Sequence, residues 1–360
     1  MTFPKIFGFI TAVVAGTGSV ASADPLSQLS DETYRSAPRY ALGVAMGVDG
    51  QEPETLTFGP QSRKLDAPVA PDAPWHIGSI TKTFTATLVL QLVDRGRLSL
   101  DTPIGTYLPH ETDMHADWKN LTLRQLLSHT AGLPPNPPDD TFMVRTAKDL
   151  HEVRRQILQG LWTAPIPAGQ GSFDYSNTGY VLAGYVLETV TGKGWEHLVQ
   201  QQIAAPLGLT SLGFGAPTAK GSAWGHRRSL FRHVPVAALG EVSDNPPWVG
   251  PAGTIHMNLR DLARWGQAHL SACQGKMPAF LSMESCLVMQ TAATDSYGLG
   301  WVLTDSPEGL LVWHNGSNTA WYANLVLRPS DNRVFVAATN RPDGDPIEDL
   351  LRALLTAYAE

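Results

Sequence analysis

In the stretch IGSITKTFTATLVLQLVDRG, residues 77–96, Ser79 and Lys82 stand three apart at the head of a helical pattern. A serine hydroxyl attacks a carbonyl carbon only once something accepts its proton. A lysine one turn further along can be that acceptor, because residues three apart share a helix face. It must be neutral to do so. Burial would have to lower its pKa from about 10.4 by roughly three units, at a cost of about 4 kcal/mol. Apolar neighbours and the positive end of a helix dipole act in that direction. The spacing alone also suits an ordinary polar first turn with a serine cap.

Further residues of the right type follow in order. Tyr175 and Asn177 sit in FDYSNTGY, just ahead of a second helical pattern. An extended Tyr-x-Asn turns both side chains to one side. The phenol can relay a proton between Ser79 and a leaving group, and the amide can hydrogen-bond both Lys82 and a substrate carbonyl. The other reading makes Asn177 a helix cap and Tyr175 a core aromatic. His314-Asn315-Gly316-Ser317 ends the β-rich run LLVWH. His314 there can face a cleft as a cation or a hydrogen-bonding group, and Gly316 lets a substrate backbone come close. The amides of Ser79 and Ser317 can form an oxyanion hole. Asn-Gly equally signals a turn after the strand.

Other matches compete with these. Tyr322-Ala323-Asn324 repeats the tyrosine pattern but falls inside a predicted strand. Ser243-Asp244-Asn245 and Ser330-Asp331-Asn332 match a tripeptide of other active-site serine enzymes, and both read as turns. Tyr175 ranks first, because a loop feeding a helix suits a cleft edge. His110 and His115 flank Glu111 and Asp113 in HETDMH, but no His-Glu-x-x-His occurs, and the segment reads as a solvated loop. Gly-x-Ser-x-Gly is absent, which argues against an α/β-hydrolase.

These residues need a scaffold. YALGVAMGVDG and LTFG read as strand, turn and strand near the start, and GLGWVLT, LLVWH, AWYANLVLRP and RVFVAATN as strands near the end. Between them the pattern is helical. Thr122 and Gln125 form a capping box before LRQLLSH, with Gly132 as its stop. NTGYVLAGYVLETVTG ends at Gly192, and Asn258 caps LRDLARWGQAHL. PPNPPDD, residues 134–140, is a stiff surface loop. A last amphipathic helix is PIEDLLRALLTAYAE. Ile80, Phe84, Leu88 and Leu92 mark the buried stripe of the serine helix. The fold class is therefore α+β. An antiparallel sheet built from both termini, about 38–97 and 290–360, is flanked by helices, with a mostly helical region inserted at about 98–289.

The ordered set Ser-x-x-Lys, Tyr-Ser-Asn and His-x-Gly resembles the serine β-lactamase and D-alanyl-D-alanine carboxypeptidase superfamily. It is most similar to class C β-lactamases and their carboxypeptidase and esterase relatives. WHIGSITKTFTATLVLQLVDRGRLSLDTPI, LTLRQLLSHTAGLP, PAGQGSFDYSNTGYVLAGYVLE, PAGTIHMNLRDLARW and YGLGWVL extend the likeness over nearly all of residues 24–360. The resemblance implies a β-lactamase/transpeptidase-like α/β sandwich, Ser79 as the acylated nucleophile, and acid and base work shared by Lys82 and Tyr175. It implies Asn177, His314, Gly316 and Ser317 on the substrate side, and no metal or organic cofactor. His314 takes a place that lysine holds in class C β-lactamases, and Trp321 stands where many relatives have glycine. The missing lysine weakens the case for a dedicated β-lactamase, and the tryptophan leaves the choice of substrate open. Trp321 either walls the cleft or packs in the core.

The expected function is an exported serine hydrolase, carboxypeptidase- or esterase-like, on an ester, amide or D-amino-acid peptide. The alternatives are a class C-like β-lactamase, or a non-catalytic penicillin- or peptidoglycan-binding sensor on the same fold. With 360 residues and 43% hydrophobic content the chain can bury a large core. A net charge of −7 without a basic run argues against nucleic acid as a partner, leaving a small-molecule or peptide substrate. Residues 1–23 read as a signal peptide, with Lys5, an apolar run and Ala21-Ser22-Ala23 as cleavage site. This predicts a periplasmic or secreted protein with no membrane span after cleavage. In an oxidising compartment Cys273 and Cys286 can bridge, or remain two buried thiols.

Overall fold

The computed structural model describes residues 24–146, 148–167, 169–229, 232–236 and 244–359. The expected signal segment, 1–23, lies outside them. The main sheet has six antiparallel strands: β1 (Leu42–Val48), β2 (Glu54–Phe58), β3 (Val302–Ser306), β4 (Gly309–Ser317), β5 (Tyr322–Arg328) and β6 (Arg333–Thr339). Their spatial order is β3-β4-β5-β6-β1-β2. The early strand β1 is thus zipped to the late strand β6, with Leu42 opposite Thr339 and Val48 opposite Arg333.

Helices that frame the sheet and the site include α1 (Pro25–Ser36), α2 (Thr81–Asp94), α3 (Leu123–Leu127), α4 (Leu150–Trp162), α5 (Asn177–Thr191), α6 (Leu259–Cys273), α7 (Met283–Met289) and α8 (Asp345–Ala357). The strands alternate their side chains between two cores. Val326 and Phe335 point with Leu350 and Leu354 of α8 to one side, and Leu325 and Val336 point with Leu262 of α6 to the other. Burial on both faces explains why β5 and β6 read as nearly continuous apolar runs. Although α6 falls in the stretch that reads as helical by sequence, it packs on β1, β5 and β6.

The serine helix α2 lies deeper than its stripe implies. Ile80, Phe84, Leu88 and Leu92 are buried, but so is every residue from Thr81 to Leu92. The polar members find partners. Trp265 Nε1 donates to Thr83 Oγ1 at 3.0 Å, Trp195 Nε1 donates to Thr85 Oγ1 at 3.0 Å, and Thr85 donates to Pro251 O at 2.7 Å. A helix enclosed all round keeps most of its polar groups in this satisfied form, and Gln91 Oε1 is the exception, buried without a hydrogen-bond partner among the described residues.

The capping box at Thr122 and Gln125 is present, yet α3 stops at Leu127 rather than near Gly132. His129 takes φ 61°, so the chain turns three residues before the glycine does. Cys273 at the end of α6 and Cys286 in α7 are joined in a disulfide. The bridge closes a sequence separation of 13 residues, which is worth about 3 kcal/mol by loop-closure entropy. Reductant is expected to lower the melting temperature by about 5 °C, and to leave a Cys273→Ser/Cys286→Ser variant unmoved. Equal responses of the two proteins would contradict this.

Candidate active site

Ser79 lies in a single 3-10 turn, Gly78–Ile80, between the short strand Trp75–His76 and α2. The end of β4 presses directly on that turn. A Cβ on Gly316 would lie 1.9 Å from Ile77 O and 2.6 Å from Ser79 N. A Cβ on Gly78, at φ +51°, would lie 2.4 Å from Ser317 N. Only glycine fits at either place, and the contact brings the amides of Ser79 and Ser317 together. Asn315-Gly316 is accordingly not a turn. β4 runs on through Ser317, and the glycine serves the close approach.

Lys82 is fully buried. Its Nζ lies 3.1 Å from Ser79 Oγ, 2.7 Å from Asn177 Oδ1 and 2.8 Å from Ala252 O. Burial drives its pKa well below the ordinary lysine value, and no described carboxylate lies within 4 Å to oppose that. A neutral amine has two hydrogens and one lone pair. In that form the two carbonyl oxygens can take both hydrogens, which leaves the lone pair for the Ser79 hydroxyl. The rings of Tyr175 and Tyr180 enclose the amine at 4.8 and 5.5 Å.

The loop before α5 brings the second pair. Ser176, not Asn177, is the helix cap, accepting from Gly179 N at 3.1 Å. Asn177 is thereby free to give its amide oxygen to Lys82, while its Nδ2 donates to Asn136 Oδ1 at 2.7 Å. The proline loop backs this segment, with Asn177 N donating to Pro135 O at 2.8 Å. Tyr175 is 7% exposed. Burial raises its phenol well above the usual value, opposed by a hydrogen bond with Ser79.

His129 lies outside the three motifs yet joins the site. Its Nδ1 accepts from Ser176 N at 3.0 Å, its carbonyl accepts from Asp174 N at 2.8 Å, and its ring lies 4.2 Å from that of Tyr175. Burial first, then Lys82 and His314, push its pKa well down. Its sequence signals were its place after a short capped helix and inside the family-like segment LTLRQLLSHTAGLP.

His314 lies with its ring centre 6.4 Å from that of Tyr175. It is 1% exposed. Nδ1–H donates to the Asn315 carbonyl, so Nε2 accepts from Tyr297 Oη at 3.0 Å. Burial and then Lys82 lower its pKa to about 3. Of the two roles open to it by sequence, cation or hydrogen-bonding group, these surroundings support only the neutral one.

The competing matches lie elsewhere or serve differently. Tyr322 donates to Glu348 of α8 on the other face of the sheet. Asp331 pairs with Arg328 and Arg333 in a hairpin turn. Ser243 is outside the described residues, but Asp244 faces His76 and Asn318. Trp321 packs in the core, stacked on His76 at 5.8 Å. In HETDMH, Glu111 accepts from Tyr185 and His115 caps a short helix. Among the described residues no three metal-ligating groups converge.

The Beta-lactamase family model matches residues 31–359. Penicillin-binding protein 4 of Amycolatopsis lactamdurans is 28% identical over 91% of this chain and 87% of its own. A D-stereospecific amidohydrolase from Streptomyces sp. superposes with a TM-score of 0.71, at 25% identity, over 90% of this chain and 96% of that one. A class C β-lactamase from Rhodobacter sphaeroides shares the fold, with a TM-score of 0.75 at 21% identity over 94% of this chain and 100% of that one. The serine–lysine pair, the α+β architecture and a match over nearly the whole chain lead to one conclusion: the chain is a serine hydrolase of the Beta-lactamase family.

Proposed function

We propose that the protein is an exported acyl-transfer hydrolase that cleaves esters, amides or D-amino-acid peptides through a covalent intermediate on Ser79. The observation that carries this reading is the fully buried Lys82 amine, 3.1 Å from Ser79 Oγ and held in place by Asn177 Oδ1 and Ala252 O. Ser79 Oγ bonds to the substrate carbonyl carbon while its proton passes to Lys82. The amides of Ser79 and Ser317 receive the oxyanion. Tyr175 passes a proton to the leaving oxygen or nitrogen as that bond breaks. Water then attacks the acyl-enzyme by the reverse proton route. Asn177 holds both Lys82 and the substrate, and Gly316, expected from the sequence to admit a substrate backbone, instead lets β4 close on the Ser79 turn.

Two features support an esterase or amidase ahead of a β-lactamase. A neutral His314 gives no positive charge to the carboxylate that β-lactams carry. The Streptomyces sp. relative is described as a D-stereospecific amidohydrolase. Export is supported by the reading of residues 1–23 and by the disulfide, which forms and persists in oxidising compartments. No described helix is long and apolar enough to cross a membrane.

The test is intact mass of the purified protein over time with a penicillin, beside turnover of p-nitrophenyl esters and D-amino-acid p-nitroanilides. A lasting penicillin adduct on Ser79 with turnover of the esters or anilides is the expected result. Rapid release of opened penicillin would replace this reading with the β-lactamase one. An adduct with no turnover of any substrate would mean a sensor.

A further inference from the structure

Two backbone segments converge on Ser79: the turn Gly78–Ile80, and the end of β4 with the residues that follow it. Both are tied to one buried carboxylate. The Gly78 amide donates to His76 Nδ1 at 3.0 Å. That acceptor role places the ring proton on Nε2, which lies 2.9 and 3.0 Å from the two carboxylate oxygens of Asp244. The side chains of His76 and Asp244 are 0% and 7% exposed. On the other arm, Asn318 Nδ2 donates to Asp244 Oδ1 at 2.7 Å. Asn318 follows Ser317 directly, and its own Oδ1 accepts from the amides of Ala320 and Trp321, both at 3.2 Å. This closes a tight loop in which Thr319 takes φ 72°. Asp244 is itself fixed, by Arg145, which donates to its backbone carbonyl at 2.7 Å, and by the Asn245 amide on Oδ1 at 2.7 Å.

We propose that Asp244 is a positioning residue that sets the separation of the Ser79 and Ser317 amides, acting through His76 on one and Asn318 on the other. The inference rests on the acyl-enzyme reading above. An oxyanion hole works because its donors already stand where the negative oxygen will form, within about 2.7–3.1 Å of it. Glycine contact between β4 and the turn pushes the two segments together but does not stop them sliding. Hydrogen bonds from both segments to one carboxylate supply that restraint. Asp244 touches neither the Ser79 hydroxyl nor Lys82, so its loss should appear in the transition state rather than in ground-state binding.

The experiment compares wild type, Asp244→Ala, Asp244→Asn and Asn318→Ala in the full chain. Hydrolysis of p-nitrophenyl acetate gives kcat and KM. Inhibition by phenylboronic acid, whose tetrahedral serine adduct imitates the oxyanion, gives Ki. A fluorophosphonate titration counts active Ser79 in each sample. For Asp244→Ala, kcat per active serine is expected to fall about 10- to 100-fold, short of the about 10²–10³ typical of losing a whole oxyanion donor. KM should stay within about threefold, and Ki should rise in step with the fall in kcat. Asp244→Asn keeps one acceptor oxygen and should recover part of the loss. A purely structural role would lower the active fraction and leave kcat and Ki per active serine unchanged. If Asp244→Ala does not fold, Asn318→Ala decides, with an expected loss of at least about fivefold in kcat matched in Ki. Variants within threefold of wild type on both measures would overturn the proposal alone. A wild-type protein that neither turns over the ester nor binds the boronic acid would overturn the acyl-enzyme reading and this inference together.

Discussion

Ser79→Ala is expected to form no covalent adduct and to lose turnover by about 10⁴- to 10⁶-fold, the range seen when a serine nucleophile is removed. The expectation comes from the accounting around Lys82. Its amine has carbonyl oxygens at 2.7 and 2.8 Å, and a single hydroxyl at 3.1 Å that can donate to it. Removing that hydroxyl leaves the base in place with nothing to deprotonate. Folding should be little affected, because the turn is held by Gly78, His76 and Gly316 rather than by the serine side chain. The checks are intact mass after a fluorophosphonate and initial rates on an ester. Residual turnover within about 100-fold of wild type would exclude Ser79 as nucleophile.

Lys82→Ala is expected to slow acylation by about 10²- to 10⁴-fold, the usual worth of a general base. The wild-type pH profile makes the stronger test. Burial lowers the pKa of Lys82, so the neutral, active form is complete above that lowered value, and kcat/KM should fall tenfold per unit as pH drops below it. Stability follows the same sign. Between the lowered folded pKa and the unfolded value of about 10.4, the unfolded chain binds the lysine proton and the folded chain does not. Stability from this group is therefore full above the unfolded value and is lost as pH falls through the folded one. Lys82→Met should abolish that dependence. A wild-type profile flat through acid and neutral pH, with the same stability slope as Lys82→Met, would show that the lysine stays charged.

Much of the scaffold was legible because each strand and cap is a local pattern. The alternation in YALGVAMGVDG, the capping box at Thr122 and Gln125, and the stop at Gly192 act within a few residues. The Ser79, Lys82, Tyr175 and Asn177 cluster was legible only through order along the chain, since each motif alone is common. What stayed hidden depends on distant partners. His314 reads equally as a cation or a hydrogen-bonding group, and only its burial against Tyr297 and near Lys82 favours the neutral form. Asp244 sat in what reads as a surface turn, and its partner His76 is 168 residues away. Gly316 signals a turn by composition, but the close packing of β4 on the Ser79 turn uses it as a gap.

The sheet order also fixes when the site can exist. β1 has one neighbour, β2, that follows it at once, and another, β6, that pairs across nearly the whole chain. Thr339 donates to Ala41 O over a separation of 298 residues. Closing so long a loop carries an entropy cost that only the completed sheet repays. Until the segment to residue 339 has been synthesised, β4 has no framework against which to press on the Ser79 turn. A growing chain can carry the serine and the lysine for most of its synthesis as inert side chains. The hydrolase comes into being only when late and early segments meet.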